Sequence, residues 1–298
     1  LQLVLRSHFD IGIVITAGVA GALLDPFSPQ RLAFVATGVA GAAFVVTLLA
    51  VWGVEREPER QADAQEQKPP FAQVIREIWA EPLARRFTIF VFVSMLAYSA
   101  QDLILEPFAG LVFNMTPGQS TQMAGVQHGG VLLGMILVGV FGARFGDKKR
   151  AWMRHWTIAG CIGSAFALAA LAGAALIGPA WPLQPTVFAL GFANGVFAVS
   201  AIGSMMGLAG EGRSAREGVR MGVWGAAQAI AFACGGFAGA AGVDALRAVL
   251  PDTASAFQIV FALEAALFMG AAVLAGRLDL RDAVRVKSAE PQLEGART

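Results

Sequence analysis

Charge is scarce in this sequence. Only 14% of its 298 residues are charged, against about a quarter in an average soluble domain. Fully 56% are hydrophobic, and mean hydropathy is +0.62. That balance excludes an ordinary soluble enzyme. Cysteine is nearly absent: Cys161 and Cys234 both fall in apolar helical stretches, which leaves neither a disulfide framework nor a cysteine metal cluster. A net charge of +1 lacks the basic field that a nucleic-acid binder needs. Also missing are a phosphate-cradling glycine loop ending in Lys-Ser or Lys-Thr, a metal-spaced Cys/His cluster, and an Asp-rich pair able to hold a magnesium diphosphate. No enzyme constellation emerges. The first residue is Leu1 rather than Met, with no signal peptide before it, so an N-terminal part is expected to be missing.

What is present is long apolar runs. Ile11 to Leu24, Leu32 to Val51 and Thr157 to Ile177 approach or reach the roughly 20 residues that cross a bilayer core. They are continuous rather than alternating, so they read as helices and not as barrel strands. Hydropathy windows predict eight spans, near residues 4–24, 31–53, 86–108, 122–144, 153–178, 184–209, 218–241 and 254–276. The class is all-α, a polytopic membrane bundle. Reversals of direction are expected at Asp25-Pro26-Phe27-Ser28-Pro29, Thr116-Pro117-Gly118, Gly178-Pro179 and Pro251-Asp252, all on one side of the membrane.

The basic residues orient these spans. Of the 22 Lys and Arg, 19 fall in alternate connections and the C-terminal tail, Arg6 opens the first helix on the same side, and only Arg31 and Arg247 lie opposite. Cytoplasmic loops carry the basic excess, so both ends of the chain are expected in the cytoplasm. Residues 54–85 differ in kind. The stretch from Glu55 to Pro70 has the charge-rich composition of a disordered linker. Phe71, Val74, Ile75, Ile78 and Trp79 then recur at helical spacing, which predicts a short amphipathic helix lying on the membrane surface or packed against protein. The expected divisions are 1–53, two helices; 54–85, cytoplasmic linker; 86–276, a six-helix unit; and 277–298, a polar cytoplasmic tail.

Six helices after a long cytoplasmic loop resemble the C-terminal half of a major facilitator superfamily transporter, built from two six-helix halves. Gly142-Ala143-Arg144-Phe145-Gly146-Asp147-Lys148-Lys149-Arg150 resembles that superfamily's basic loop motif, its key positions being Gly142, Gly146, Asp147, Lys148, Lys149 and Arg150. On that resemblance the eight helices are numbers five to twelve of twelve. A closer likeness lies in Gln101-Asp102-Leu103-Ile104-Leu105-Glu106-Pro107-Phe108-Ala109-Gly110, with Val112-Phe113-Asn114-Met115 after it. Together with the segments Phe27 to Leu32, Gly191 to Val199 and Gly222 to Ala229, it resembles the PucC and LhaA proteins, the bacteriochlorophyll delivery family within that superfamily. Phe108-Ala109 stands where that family's pattern suggests Tyr-Gly. The resemblance implies a light-harvesting complex assembly factor that delivers bacteriochlorophyll to antenna polypeptides, or chaperones them, in the intracytoplasmic photosynthetic membrane of a bacterium. Implied partners are antenna polypeptides, membrane lipids and pigment-synthesis enzymes, without nucleic acid and without catalysis. A proton-coupled transporter of a small solute is the rival.

Several polar residues are candidates for the pigment or partner site. Asp102 and Glu106, four apart, share a helix face. Carboxylates in a membrane helix cost a few kcal/mol unless they face a cavity, a partner or the interface. They read either as a site or as an interfacial cap. Gln101 adjoins them, and Gln127 and His128 open the next helix on the same side. Imidazole is a common metal ligand, so His128 is the candidate axial ligand for a chlorin magnesium, or else a simply hydrogen-bonded histidine. Asn194, Gln228 and Glu264 are expected in helix interiors, as functional groups or as interhelical glue. Small-residue pairs at Gly130/Gly134, Gly191/Gly195, Gly203/Gly207 and Gly235/Gly239 predict close helix approach. The 21 Phe and 6 Trp suit pigment packing or lipid contact.

Overall fold

The computed structural model describes residues 2–52, 76, 79–142, 149–209 and 217–277. Among them the long elements are eight helices: α1 (Gln2–Leu23), α2 (Pro29–Val51), α3 (Pro82–Phe113), α4 (Pro117–Gly142), α5 (Lys149–Ile177), α6 (Leu183–Ala209), α7 (Glu217–Val249) and α8 (Thr253–Gly276), with a single 3-10 turn at Gly178–Ala180. Seven are long and apolar enough to cross a membrane, and α1 adds a shorter apolar stretch, Ile11–Leu23. This is an all-α, multi-pass membrane protein. Most of the predicted linker and amphipathic helix lies outside the described residues. Of that segment Arg76, Trp79 and Ala80 are helical, and Arg76 and Trp79 are exposed.

All four predicted reversals are short connections with local causes. Ser28 caps α2 by accepting from the Arg31 amide at 3.1 Å, and the Arg31 guanidinium donates to the carbonyls of Asp25 and Pro26 at 3.2 and 3.4 Å. Arg31, an exception to the charge asymmetry, is thus occupied by its own turn. Arg247, the other exception, pairs with Asp244 at 3.7 Å in the last turn of α7. Asn114 closes α3 in the left-handed region, φ 56° and ψ 30°, while the Met115 amide donates to the Ala109 carbonyl at 3.1 Å, a Schellman-type closure. Gly178, at φ +71°, begins the α5–α6 connection, and Asp252 caps α8 through the Ser255 amide at 3.0 Å.

Four helices run several residues past their predicted bounds. α4 begins at Pro117 rather than 122, which sets Gln127 and His128 about three turns inside it and not at its start. α5 begins at Lys149 rather than 153, and α3 and α7 run on at their C-terminal ends. α3 continues five residues past 108, through Pro107, to Phe113. Proline removes one backbone bond, but Ile104, Leu105, Phe108 and Ala109 around it are all buried, so packing holds the helix together. α7 continues from 241 to Val249. At 33 residues it is about 50 Å long, more than enough to cross a hydrocarbon layer of roughly 30 Å.

The helices pack in a continuous row: α7 on α3, α3 on α8, α8 on α5, α5 on α6, α6 on α4, and α4 on α1. The order is symmetric about the α5–α8 contact. Contacts α3·α7 and α3·α8 are matched by α6·α4 and α6·α5, as expected if α3–α5 and α6–α8 are repeats of one three-helix unit. In lipid, helices associate by close packing and hydrogen bonding more than by the hydrophobic effect, and glycine makes that packing possible here. Gly130 and Gly134 of α4 lie under the Phe188 and Phe192 carbonyls of α6, while Gly191 and Gly195 of α6 lie against the Gln127 and Val131 carbonyls of α4. The two predicted pairs are thus each other's mates. Gly235 and Gly239 of α7 serve the α3 seam in the same way, against the Leu96 and Ala100 carbonyls.

Aromatic residues fill the row from within. Phe87, Phe90, Phe108, Phe197, Phe257, Phe261, Phe268 and Trp224 are fully buried, whereas Phe34, Phe44, Phe166 and Phe237 point outward. Phe108 meets Phe113, Phe257 and Phe261 at centroid distances of 5.3, 5.3 and 4.9 Å. That all-apolar cage explains why phenylalanine suits position 108, where a phenol would bury its hydroxyl among rings.

Candidate functional site

The candidate site lies on the upper half of α3, between α4 and α8. Along this stretch the helix alternates between two faces. Gln101, Ile104, Leu105 and Phe108 turn inward, and Asp102, Leu103, Glu106 and Pro107 turn outward. Asp102 and Glu106 therefore share an exposed face, as four-residue spacing requires. The charge of His128 on α4 acts on Asp102, and the charge of Asp102 acts on Glu264 of α8. Asp102 is thus electrostatically linked to two other sequence-predicted residues, each on a different helix. His128 is half-buried, while Glu264 is 2% exposed.

Behind this exposed corner, the polarity is unmatched. Both oxygens of Glu264 lack a hydrogen-bond partner, and so do the amide oxygen and nitrogen of Gln101, which is fully buried. An unpartnered buried amide or carboxyl group is costly in an apolar setting. Native structures satisfy nearly all such groups, and exceptions call for a ligand, water or proton to complete them. Gln101 and Glu264 are therefore the two side chains here whose bonding capacity is spare. Further along the same inward faces, Phe108 of α3 meets Phe257 and Phe261 of α8, all three fully buried. Taken together, the corner offers a carboxylate at the outer surface, an imidazole beside it, and an amide and carboxyl group behind. That set can accept and donate hydrogen bonds or hold a proton, whereas among the described residues no three His, Cys, Asp or Glu side chains are grouped to hold a metal ion.

The remaining candidates have other roles. Asn194 accepts the Ser164 hydroxyl on its Oδ1 at 2.8 Å, tying α6 to α5, with its Nδ2 unmatched. Gln127 is buried at the α4·α6 seam, its carbonyl over Gly191. Gln228 is half-buried on α7. Of the loop motif, Gly142 ends α4 against Met153, Lys149 and Arg150 begin α5, and Gly146, Asp147 and Lys148 lie outside the described residues.

Sequence reasoning missed three polar contacts between helices. Ser164 makes one, and the Ser99 hydroxyl of α3, donating to the Ala231 carbonyl of α7 at 3.3 Å, makes another; a single serine in an apolar helix carries no signal of its own. The third joins the starts of α3 and α7, where Arg220 donates to the Glu81 carboxylate at 2.6 Å. These residues are 139 apart in sequence, and no local pattern links them.

A protein of Rhodobacter capsulatus named bacteriochlorophyll synthase 44.5 kDa chain is 50% identical over 276 residues, covering 92% of this chain and 63% of that protein. Protein PucC of Cereibacter sphaeroides is 30% identical over 251 residues, 82% of this chain and 52% of that protein. Protein PucC of Rhodobacter capsulatus is 30% identical over 276 residues, 89% of this chain and 57% of that protein. The chain thus spans between half and two thirds of the length of these curated relatives. The family model described as PUCC protein matches residues 5–283, all eight helices with their connections, and the chain belongs to that family.

Proposed function

We propose that this chain is the larger part of a light-harvesting complex assembly factor, which hands bacteriochlorophyll to antenna polypeptides or chaperones them in a bacterial photosynthetic membrane. The observation that carries this reading is the corner at Gln101 and Asp102. It is polar, open to the outside of the bundle at Asp102, and backed by the spare bonding capacity of the buried Gln101 and Glu264. A pigment with a flat apolar macrocycle, a few carbonyl groups and a magnesium needs that mixture. On this reading His128 supplies the nitrogen ligand, and Gln101 and Glu264, both buried behind Asp102, are the groups left to hydrogen-bond carbonyls. The relatives' names add support, since one of them refers to bacteriochlorophyll.

The symmetry of helix contacts supports a major-facilitator-like bundle, in which α3–α8 (within 86–276) form the C-terminal half and α1 and α2 (within 1–53) belong to the N-terminal half. The basic side of the bundle, with both ends of this chain, faces the cytoplasm on this reading. Pigment-synthesis enzymes are fitting neighbours, because a helper must receive pigment before passing it on. Transfer of a bound pigment breaks no covalent bond, so the role proposed is not catalytic, although that same relative bears a synthase name. A strain lacking the full-length protein tests the reading. Restoring it should restore near-infrared antenna absorbance, and purified protein should show no turnover of bacteriochlorophyllide with a prenyl diphosphate.

One observation favours a second reading. Glu264 is buried without a hydrogen-bond partner and electrostatically linked to Asp102, an arrangement that also suits a proton carrier in a transporter. Proton-coupled solute uptake in proteoliposomes, with no associated pigment, would favour it over the first.

A further inference from the structure

A second polar site lies at the other end of α3, roughly five helical turns from Asp102. Glu81, Leu83, Ala84 and Phe87 at the start of α3 face Arg220 and Trp224 of α7 across a half-open cleft of about 210 Å3, mouth included, whose floor has room for one water-sized group. The unmatched side-chain atoms there are donors. Trp224 is 1% exposed, and its indole Nε1 has no hydrogen-bond partner. The Arg220 side chain is 13% exposed, and its Nε is likewise unmatched. No side chain caps α3, so its first-turn amides, those of Leu83 and Ala84 included, lack intrahelical partners. The positive end of the helix dipole points the same way.

The acidic group in the cleft is Glu81. Its carboxylate accepts from Arg220 at 2.6 Å and, at 41% exposed, lies toward the mouth, so it balances the Arg220 charge and leaves the floor donors unused. Arg85 and Arg86 are exposed on the first turn of α3, and Trp79, also exposed, sits just before it. Exposed cations beside an indole at the end of a spanning helix belong to the headgroup layer of a membrane. Basic pockets between such helices attract anionic lipid.

We propose that this cleft binds the phosphate of an anionic lipid headgroup. One phosphate oxygen reaches the floor between Trp224 Nε1, Arg220 Nε and the α3 amides, and the rest of the headgroup lies at the mouth, in the surface layer that Arg85 and Arg86 also occupy. Leu83 and Phe87 give the cleft an apolar wall, which suits a lipid better than a dissolved ion. The site is independent of the pigment corner and does not rest on it.

Native mass spectrometry of the full-length protein in detergent, supplied with phosphatidylglycerol, phosphatidylcholine or inorganic phosphate, tests the assignment. Trp224→Phe deletes the donor and keeps a ring edge on Phe87, now 4.7 Å away. Arg220→Gln removes the cation, and Arg247→Gln at the far end of α7 is the control. The wild type should retain phosphatidylglycerol over phosphatidylcholine, and Trp224→Phe and Arg220→Gln should each weaken that retention about tenfold. Arg247→Gln should leave it unchanged. Equal phosphatidylglycerol occupancy in the wild type and both cleft variants overturns the site. Trp224-dependent binding of inorganic phosphate that displaces the lipid overturns the lipid assignment and leaves a soluble phosphate as the ligand.

Discussion

The Phe192 carbonyl of α6 lies directly over Gly134 of α4, where a side chain would have no room. Close backbone approach is what couples the two helices, and the same contact recurs one turn away at Gly130 beneath Phe188. Because the obstructing atom is backbone, the seam cannot adapt by moving a rotamer. Gly134→Ala should therefore destabilise the full-length protein by about 1–3 kcal/mol, the usual penalty of overpacking. Gly129→Ala, at a position with open space around it, should be neutral or slightly stabilising, since alanine is the better helix former. Thermal unfolding in detergent, followed by helical signal, compares the two.

The Ser164–Asn194 bond gives a second prediction. Its 2.8 Å geometry joins α5 to α6 where both side chains are fully buried. Interhelical bonds of this kind average only about 0.6 kcal/mol in membrane proteins. A double-mutant cycle with Ser164→Ala and Asn194→Ala should return a coupling energy near that value. A coupling above about 2 kcal/mol would show that Asn194 does more than join helices.

Phe108 tests the aromatic cage. Fully buried among Phe113, Phe257 and Phe261, it should cost about 3–5 kcal/mol when truncated to alanine. Phe108→Tyr adds a hydroxyl with no polar neighbour in the cage and should cost about 1–3 kcal/mol. A stabilising Tyr substitution would mean that the cage hides a polar partner.

Asp252 gives a pH dependence with a definite sign. The Ser255 hydroxyl, and then the amides of Ser255 and Ala254, hydrogen-bond its carboxylate and hold it below the usual carboxylate range. A depressed folded-state value means that the cap contributes fully above the unfolded value of about 3.9 and is lost as pH falls through the lower folded value. Protection of the Ser255 amide from hydrogen exchange should follow that titration in the wild type. In Asp252→Asn, which keeps an acceptor without the charge, the dependence should flatten.

Much of the fold was legible because hydropathy and proline-glycine punctuation act locally. Each apolar run became a helix, and the four reversals fell where Pro26, Pro117, Gly178 and Asp252 predicted. Helix ends were less legible. Pro107 is a local stop signal, yet Phe108 and Ala109 are held in the helix by residues of α8 that sequence cannot place beside them. Glycine pairs were visible as pairs, but not that Gly130 and Gly134 would meet Gly191 and Gly195. In the candidate site, the shared face of Asp102 and Glu106 followed from spacing alone. That Gln101, one residue earlier, turns inward while Asp102 turns outward depends on how α3 is rotated against α8. The Glu81–Arg220 contact, made across 139 residues, depends wholly on tertiary packing.

The central claim is that the corner formed by Gln101, Asp102, His128 and Glu264 holds bacteriochlorophyll. The most direct measurement is the amount of bacteriochlorophyll that co-purifies with the full-length protein, read from its near-infrared absorbance, in the wild type and in Asp102→Leu, His128→Phe and Glu264→Leu. Stable pigment on the wild type, reduced at least severalfold in the Asp102 and Glu264 variants while helical content is unchanged, is the result predicted here. Pigment unchanged by His128→Phe alone would remove the ligand role from that histidine. Pigment absent from the wild type, or unchanged in all three variants, would contradict the account.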